Sequence, residues 1–309
     1  MVKTPRRNLC GVLLLDKAFG LSSNTALIKT KILYQAQKAG HTGTLDPFAT
    51  GLLPICFGEA TKFAGYMLDA TKAYDASVRL GYTSNTGDAD GEVIAQQAFR
   101  GDANDIENAL QKFRGNISQT PPMYSALKHK GRPLYEMARQ GIEIERQPRN
   151  LTIFELTLLG RSDDELHIRV VCSKGTYIRV LAQDIGAALG CGGYVSALRR
   201  TGTGGYTLTD AHTFDELNLM TVEQRDACLL PVDSLVQDLP SIVLPENEAR
   251  KLGQGIWVSN PTAYDEIIKN SNKTRLYDND GHFYGLVRAD DEGNIISDRM
   301  MSLENPLIS

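Results

Sequence analysis

One loop of the sequence contains the residues with the clearest capacity for chemistry. Residues 40–54, GHTGTLDPFATGLLP, hold a single carboxylate, Asp46, among three glycines and two prolines, with no cysteine. Because Asp46 precedes a proline, its backbone is disfavoured in a helix and favours an extended or turn conformation. A lone acid on such a loop can act as a nucleophile or general base without a metal. A surface turn in which Asp46 caps a backbone N–H is an equally good interpretation of the spacing.

Three blocks of the sequence together resemble the signature of the TruB-type tRNA pseudouridine synthases. The blocks are residues 40–54 with 56–62, residues 72–76 leading into 81–88, and residues 172–179 with 194–200 after them. They occur in the order that the family requires, and the similarity covers the chain to about residue 240 and continues more weakly to the end. The resemblance implies an isomerase that converts uridine 55, in the T loop of tRNA, to pseudouridine.

The reaction breaks the N-glycosidic bond, turns the uracil and rejoins it through C5, after the base has left its stack. In the family, Asp46 matches the essential carboxylate, which attacks the base or C1′ or removes the C2′ proton. Tyr74 matches the aromatic residue that lies against the flipped base, although its position on an alternating strand is also typical of a core tyrosine. Arg179 matches the arginine that pairs with the aspartate, where it would keep Asp46 ionised.

Further positions match family residues near the substrate. Tyr177 and Leu198 correspond to residues that line the base pocket, and His41 to a residue placed against the RNA next to the target. Lys62 is expected to support the site or to contact phosphate. No second histidine lies at ligand spacing from His41, so neither a metal nor another cofactor is predicted.

Residues 119–150 differ in character from the rest of the chain and form a long excursion from the predicted core. Residues 122–150 contain six Lys or Arg and three Asp or Glu. In the family the matching insertion clamps the RNA, so Lys128, Lys130 and Arg132 are predicted RNA contacts. An ordinary polar hairpin and helix is the alternative.

A helix is predicted immediately before residues 40–54, which we call the Asp46 loop. Ser22 or Ser23 can cap it, and Gly40 is a candidate stop, so it should run to about Lys38. Its end would then place residues 41–46 at the edge of the core.

Other elements must bring the remaining site residues together. Helices are also predicted at 59–69, 102–113 and 178–189, and strands at 74–80 and 166–172. Arg179 falls in the first turn of its helix, where the dipole disfavours a cation and an anionic partner is expected. Residues 88–92 superficially resemble a calcium loop. A loop that starts at Asp88 puts Phe99 at its twelfth position, and one with Gly91 in sixth place puts Gln97 there, so neither has the required glutamate and a hairpin turn is predicted.

The sequence predicts an α+β fold in two domains. Residues 1–238 would form the pseudouridine synthase catalytic domain, on a mixed, mainly antiparallel sheet with flanking helices. Residues 239–309 contain 7 Lys or Arg and 11 Asp or Glu. Residues 1–238 therefore contain 26 basic and 26 acidic residues, out of totals of 33 and 37. Short strands predicted at 256–258, 274–277 and 282–287 indicate a small β-rich domain, which in the family is commonly a PUA-type RNA-binding module.

Composition limits the classes of protein that the chain can represent. No run of 18 or more apolar residues occurs, so no membrane span is predicted. The five cysteines are scattered and never spaced as CxxC, which favours reduced thiols in a cytoplasm. The expected partner is the T arm of tRNA, bound by a monomer without a guide RNA. A non-catalytic tRNA-binding or folding chaperone on the same fold is the alternative.

Overall fold

A large mixed sheet forms the centre of the fold. The computed structural model of the chain describes residues 6–261 and 264–302. Its strands, in chain order, are β1 (Gly11–Lys17), β2 (Ala39–His41), β3 (Thr50–Phe57), β4 (Lys72–Leu80), β5 (Tyr82–Ser84), β6 (Val93–Ala95), β7 (Gly115–Gln119), β8 (Lys128–His129), β9 (Arg132–Pro133), β10 (Arg149–Ser162), β11 (Glu165–Cys172), β12 (Gly193–Thr203), β13 (Tyr206–Thr207), β14 (His212–Thr213), β15 (Ser241–Val243), β16 (Thr274–Tyr277), β17 (Phe283–Ala289) and β18 (Ile295–Met300).

The helices are α1 (Ser23–Leu33), α2 (Ala64–Leu68), α3 (Ala103–Gln111), α4 (Leu134–Ala138), α5 (Ile178–Ala188), α6 (Phe214–Leu219), α7 (Val222–Ala227), α8 (Glu246–Gly253) and α9 (Asp265–Asn270), with 3-10 turns at Gly58–Lys62, Leu208–Asp210 and Val232–Val236. Helices α1 to α7 flank the large sheet or lie in its connections, and α8 and α9 belong to the C-terminal part of the fold. Among the described residues, no helix is long and apolar enough to cross a membrane.

The order of strands in the large sheet is β14-β1-β3-β12-β4-β11-β10-β7, with β2 paired to β3 and β13 to β12. The β1–β14 and β3–β12 pairs are parallel, and the other pairs are antiparallel. The predicted α+β class with a mixed, mainly antiparallel sheet is therefore confirmed. In β4 every second residue from Tyr74 to Leu80 is buried, as its alternating sequence indicates, and this face packs into the main hydrophobic core.

The helix before the Asp46 loop is shorter than predicted. Ser22 is its N-cap and accepts a hydrogen bond from the Thr25 N–H at 3.0 Å, but α1 ends at Leu33. Gln35 then adopts a positive φ of 54°, which a helix cannot accommodate. The predicted end near Lys38 is therefore wrong, because the following residues turn into β2 and pair with β3.

Other local predictions were partly right. The helix predicted at 59–69 is divided into a 3-10 turn and α2, whereas those at 102–113 and 178–189 correspond to α3 and α5. The hairpin turn predicted at 88–92 does connect two paired strands, β5 and β6.

A second sheet, in the order β15-β16-β17-β18, forms the C-terminal part of the fold. The strand predicted at 256–258 is wrong, since only Val258 pairs there, in a single bridge to Ile295. This part has its own core and shares another with the large sheet. In the shared core the rings of Phe63 and Phe283 lie 5.5 Å apart. Apolar residues from before and after residue 238 therefore pack against each other, so the two predicted domains share a core.

Candidate active site

The Asp46 loop is held from both sides by buried groups. Ser23 Oγ, at the start of α1, donates to the Leu45 carbonyl at 2.9 Å and accepts from the Leu45 N–H at 2.7 Å. Gly51 has a φ of +101°, and a Cβ there would lie 2.3 Å from the Arg200 carbonyl oxygen, so a side chain cannot be accommodated. These constraints fix the backbone on either side of Asp46.

Arg179 contacts Asp46 directly. Its Nε lies 3.0 Å from Asp46 Oδ2, and its Nη1 lies 3.3 Å from Asp88 Oδ2. Nη1 also donates to the Thr86 carbonyl at 3.0 Å, and Nη2 to the Tyr124 carbonyl at 2.7 Å. The first turn of α5 thus places the Arg179 guanidinium between two carboxylates. These carboxylates supply the anionic partner that is expected for a cation at the start of a helix.

Asp88 is a site residue that sequence reasoning missed. Asp46 is the single acid of residues 40–54, but spacing along the chain does not reveal that the β5–β6 hairpin brings Asp88 to the same arginine. A signal was present, since residue 88 closes the second block of resemblance. The side chain of Asp88 is 6% exposed. Besides its contact with Arg179, it accepts hydrogen bonds from Thr86 Oγ1 at 2.5 Å and from the Asp90 N–H at 3.1 Å.

The ionisation of Asp46 reflects opposing effects. Burial, the largest, raises the pKa of its carboxyl, and the negative charges of Asp88 and Asp90 raise it further. Arg179 lowers the same pKa, as expected, but the net direction is upward. The expectation that Arg179 simply keeps Asp46 ionised is therefore incomplete. A carboxylate with raised proton affinity is better suited to accept a proton than an ordinary surface aspartate.

Five predicted site residues line one cavity of about 200 Å³. They are Asp46, Tyr74, Tyr177, Arg179 and Leu198. The cavity is smaller than the roughly 300–1,000 Å³ typical of drug-sized ligand pockets, which suits a small ligand. Tyr74 and Leu198 are both 8% exposed.

Sequence analysis also did not identify two buried cations near the cavity, Arg200 and Lys17. Arg200 is 1% exposed; its Nε donates to the Leu52 carbonyl at 2.7 Å and its Nη2 to the Gly43 carbonyl at 3.2 Å. Lys17, also 1% exposed, donates to the Ala18 and Leu21 carbonyls at 3.0 and 2.7 Å. Burial lowers the pKa of Lys17 to about 8, against the attraction of Asp46. Both residues hold backbone around the loop, and their buried positions could not be read from local patterns.

A larger cleft of about 850 Å³ adjoins the small cavity and shares Asp46 and Arg179 with it. His41 lines this cleft and not the small cavity. Burial, with a smaller effect of Arg200, lowers the pKa of its imidazole. Its Nδ1 is buried and has no hydrogen-bond partner among the described residues. Tyr135 and Arg139, which the sequence did not indicate, also line the cleft.

The basic insertion leaves the sheet at Gln119 and returns at Arg149, which are register partners of β7 and β10. We call residues 119–150 the arm. Gln119 anchors its base, because its amide accepts from the Tyr177 N–H at 2.8 Å and donates to the Tyr177 carbonyl at 3.2 Å. The helix α4 in the arm supplies Tyr135 to the cleft.

The four cations predicted to contact RNA lie outside the small cavity. Lys128, Lys130 and Arg132 are exposed on the β8–β9 hairpin of the arm. Lys62 instead pairs with Glu59 at 2.6 Å and donates to the Met300 carbonyl at 3.2 Å. The structure thus gives Lys62 a role in holding the two sheets together, and contact with phosphate stays a prediction for all four.

Three family models match consecutive parts of the chain. The model for the TruB family pseudouridylate synthase N-terminal domain matches residues 31–178. The model for the tRNA pseudouridylate synthase B C-terminal domain matches residues 179–237, and that for the pseudouridine synthase II TruB C-terminal region matches 240–301.

Similar curated proteins are matched over nearly their whole length. The tRNA pseudouridine synthase B of Nitrosospira multiformis is 50% identical over 308 residues, which cover 98% of each chain. The protein of the same name from Thiobacillus denitrificans is 50% identical and covers 97% of this chain and 99% of its own.

Solved structures share the fold at lower identity. A chain of an archaeal box H/ACA sRNP Nop10–Cbf5 complex has a TM-score of 0.71 at 21% identity, covering 96% of this chain and 88% of its own. A chain of a Cbf5–Nop10–Gar1 complex has a TM-score of 0.69 at 24% identity, covering 96% and 81%. At this identity the similarity establishes the fold alone.

Proposed function

Since the chain belongs to the TruB family of pseudouridylate synthases, we propose that it isomerises uridine 55 in the T loop of tRNA to pseudouridine. One observation carries the proposal: Asp46 is held by Arg179 at the wall of a base-sized cavity that Tyr74 and Leu198 also line. An acid, a planar aromatic face and an apolar wall are the groups that such a reaction requires.

The target base must leave the RNA stack to reach Asp46. The adjoining cleft offers a route, because it opens onto the same two side chains, Asp46 and Arg179. A flipped uracil would meet the ring of Tyr74, and stacking on an aromatic side chain contributes roughly 1–3 kcal/mol per base. This gain offsets part of the energy of unstacking, which is a few kcal/mol.

Asp46 is the reacting group in this proposal. As a carboxylate it can attack the base or C1′, or it can remove the C2′ proton, and its raised pKa favours proton acceptance. Arg179 fixes its orientation through the 3.0 Å contact, and is itself held by Asp88. No step requires a second substrate, because the uracil that leaves C1′ is the group that rejoins it.

Recognition of the RNA is assigned to the arm and the cleft. Lys128, Lys130 and Arg132 are exposed and can approach phosphates. The protein would act on tRNA in the cytoplasm as a monomer without a guide RNA. The solved Cbf5 structures are complexes with other proteins, but their similarity concerns the fold only.

The direct experiment combines the purified protein with an unmodified tRNA transcript, without guide RNA, ATP or added metal. Pseudouridine detected at position 55, and at no other uridine of the transcript, is the expected result. Accelerated tRNA folding without any pseudouridine would contradict the proposal and would support the chaperone alternative. Pseudouridine at another position would support the proposed isomerisation but contradict uridine 55 as its target.

A further inference from the structure

Arg200 is a buried cation that no carboxylate of the described residues contacts. It is 1% exposed, it lines the small cavity, and it takes part in none of the salt bridges formed within residues 6–261 and 264–302. Arg199, the preceding residue of β12, is more exposed and pairs with Asp16 at 2.6 Å. Of these two adjacent arginines, the buried one keeps its charge without an acid beside it.

Neutral groups hold the Arg200 guanidinium in place. It donates to the Leu52 and Gly43 carbonyls and also forms a hydrogen bond with the Tyr74 phenol. Burial, the largest effect, raises the pKa of this phenol, whereas the charge of Arg200 and the hydrogen bond lower it. These oxygens orient the cation but carry no negative charge. Because a buried charge without an opposite charge is costly, its presence beside a cavity indicates that negative charge arrives there.

A second cation, Lys72, lies next to Arg200. It also lines the small cavity, and its ammonium donates to the Ala70 and Leu68 carbonyls at 2.7 and 3.1 Å. A Cβ on Gly43 would lie 3.8 Å from Arg200 Nη1 and 3.9 Å from Lys72 Cε, so both side chains approach the same point of the Asp46 loop. Burial, and then the charge of Arg200, lower the pKa of Lys72. Two cations that repel each other are thus kept beside the cavity.

The charges on the cavity wall are therefore unequal. The charged residues that line it are Asp46, Lys72, Arg179 and Arg200. Arg179 is paired with Asp46 and with Asp88. Lys72 and Arg200 supply two further positive charges that no carboxylate in the described part of the chain contacts. Such a wall favours a ligand that carries negative charge.

We propose that Arg200 stabilises the negative charge that develops on the uracil as it separates from C1′, and that Lys72 adds to this effect. The inference rests on the proposed function, and it assigns a catalytic role to a buried cation that the mechanism did not use. A charge in a buried site acts over several ångströms, so the guanidinium can keep its present hydrogen bonds. Because it is already fixed in place, it needs no reorganisation when the charge forms.

Every route open to Asp46 places negative charge on the base. When the N1–C1′ bond breaks, its electron pair stays on the uracil and is shared by N1, O2 and O4. C1′ receives a pair either from the Asp46 carboxylate or from the C2′–H bond, whose proton passes to Asp46 and later returns to C2′. Attack of Asp46 on C6 instead moves electrons through C5 and C4 onto O4. On rejoining, C5 supplies a pair to C1′ and then loses its proton, while N1 gains one.

A phosphate of the RNA is the other anion that could compensate Arg200. A phosphate is charged before the reaction as well as during it, so its contact would contribute to tRNA affinity. The charge on the uracil exists only once the glycosidic bond begins to break, so its stabilisation contributes to the rate and not to substrate binding. The burial of Arg200 favours the uracil, because the flipped base enters the cavity while the RNA backbone stays outside it.

The first test compares Arg200→Lys with Arg200→Gln. Neither side chain reproduces the hydrogen bonds of the guanidinium to the Leu52 and Gly43 carbonyls, but lysine retains the positive charge. We expect the single-turnover rate at saturating tRNA to fall about 100-fold in Arg200→Gln and less than about tenfold in Arg200→Lys. Affinity for tRNA should stay within about twofold of wild type in both. The rate should follow the charge and not the thermal midpoint, which both changes lower.

Two results of this comparison would overturn the proposal. Equal rate losses in the two variants would show that Arg200 acts only through its hydrogen bonds. A loss confined to affinity, with a smaller salt dependence of binding in Arg200→Gln, would identify a phosphate as the anion.

Arg199→Gln is the matched control. It removes an arginine from the same strand and breaks the pair with Asp16, but Arg199 does not line the small cavity. Its single-turnover rate should stay close to that of the wild type. If the Arg200 variants do not fold, Lys72→Arg and Lys72→Gln replace them, since Lys72 is only half-buried. Equal rates in that pair would likewise overturn the proposal.

The second test varies the stability of the uracil anion itself. A full-length tRNA with 5-fluorouridine at the target carries an electron-withdrawing fluorine, which stabilises the separated base. Loss of the N-glycoside in one turnover measures bond cleavage, since a fluorine on C5 prevents the final loss of a proton there. The rate deficit of Arg200→Gln relative to wild type should be about tenfold smaller on this base than on uridine. The same deficit on both bases would overturn the proposal. Failure of the wild-type protein on ordinary uridine would instead reject the proposed function.

Discussion

Asp88 Oδ2 lies 3.3 Å from Arg179 Nη1, and both side chains are nearly buried, with 6% and 5% of their surface exposed. Asp46, on the other side of the same guanidinium, is 38% exposed. Asp88 therefore holds the arginine from the protein interior, while Asp46 faces the cavity. The two acids share one partner but have separable roles, and their substitution should have different consequences.

Asp46→Asn should abolish pseudouridine formation and leave tRNA binding largely intact. The amide has nearly the same shape but is neither a nucleophile nor a base, so the chemical step is lost. Single-turnover kinetics and a filter-binding titration measure the two effects separately. A residual rate within about tenfold of wild type, a change in barrier of roughly 1.4 kcal/mol or less, would contradict the essential role of Asp46.

Asp88→Asn should lower the rate and shift its dependence on pH. Asp88 raises the pKa of Asp46, so its neutralisation lowers that pKa. Because the proposed mechanism uses the ionised form of Asp46, activity should persist to lower pH than in the wild type. We expect a fall of about 10–100-fold at neutral pH, since Arg179 loses one of its two carboxylate partners and a catalytic geometry displaced by even 1 Å can cost about 100-fold.

The pH profile of single-turnover rates measures this shift, with Asp90→Asn as the control. Asp90 also raises the pKa of Asp46, but the salt bridges of Arg179 are formed with Asp46 and Asp88. Asp90→Asn should therefore shift the acidic side of the pH–rate profile to lower pH, as Asp88→Asn does, without a comparable loss of rate. An acid limb that moves to higher pH in Asp88→Asn would refute the electrostatic explanation.

Replacing Lys128, Lys130 and Arg132 together by alanine should weaken tRNA binding and flatten its salt dependence. Each lost phosphate contact reduces the slope of log K against log salt by about 0.7–0.9, so three contacts predict a change of about two to three. Titrations at several salt concentrations provide the measurement. Lys112→Ala, an exposed lysine outside the arm, is the control. If the slope of log K against log salt is unchanged in the triple variant, these three residues do not contact phosphate and the arm is an ordinary polar hairpin.

Deleting the chain after Asp238 should reduce stability and affinity more than chemistry. The proposed catalytic residues lie before the cut, but the deletion exposes the apolar surface around Phe63 that Phe283, Leu286 and Met301 cover. We expect a lower thermal midpoint, a raised KM and a single-turnover rate at saturating tRNA within about tenfold, or roughly 1.4 kcal/mol, of the full chain. A folded truncation whose saturated rate collapses would show that the C-terminal sheet helps to build the active site.

The sequence by itself determined the features that depend on local order. Alternation in residues 74–80 identified β4, helical spacing identified α5, and residues 40–54 identified the loop that carries Asp46. These patterns are readable because side-chain periodicity follows directly from the geometry of a strand or a helix. The resemblance then selected Tyr74, Tyr177, Arg179 and Leu198, which the structure brings to one cavity with Asp46.

Only the tertiary structure decided which groups surround that cavity. The β5–β6 hairpin brings Asp88 to Arg179, the arm brings Ser125 to Tyr177, and burial outweighs the arginine in setting the pKa of Asp46. The end of α1 at Leu33 likewise depends on the pairing of β2 with β3. These outcomes depend on contacts between segments far apart in the chain, where desolvation and charge are set by the packed neighbours and not by the adjoining residues.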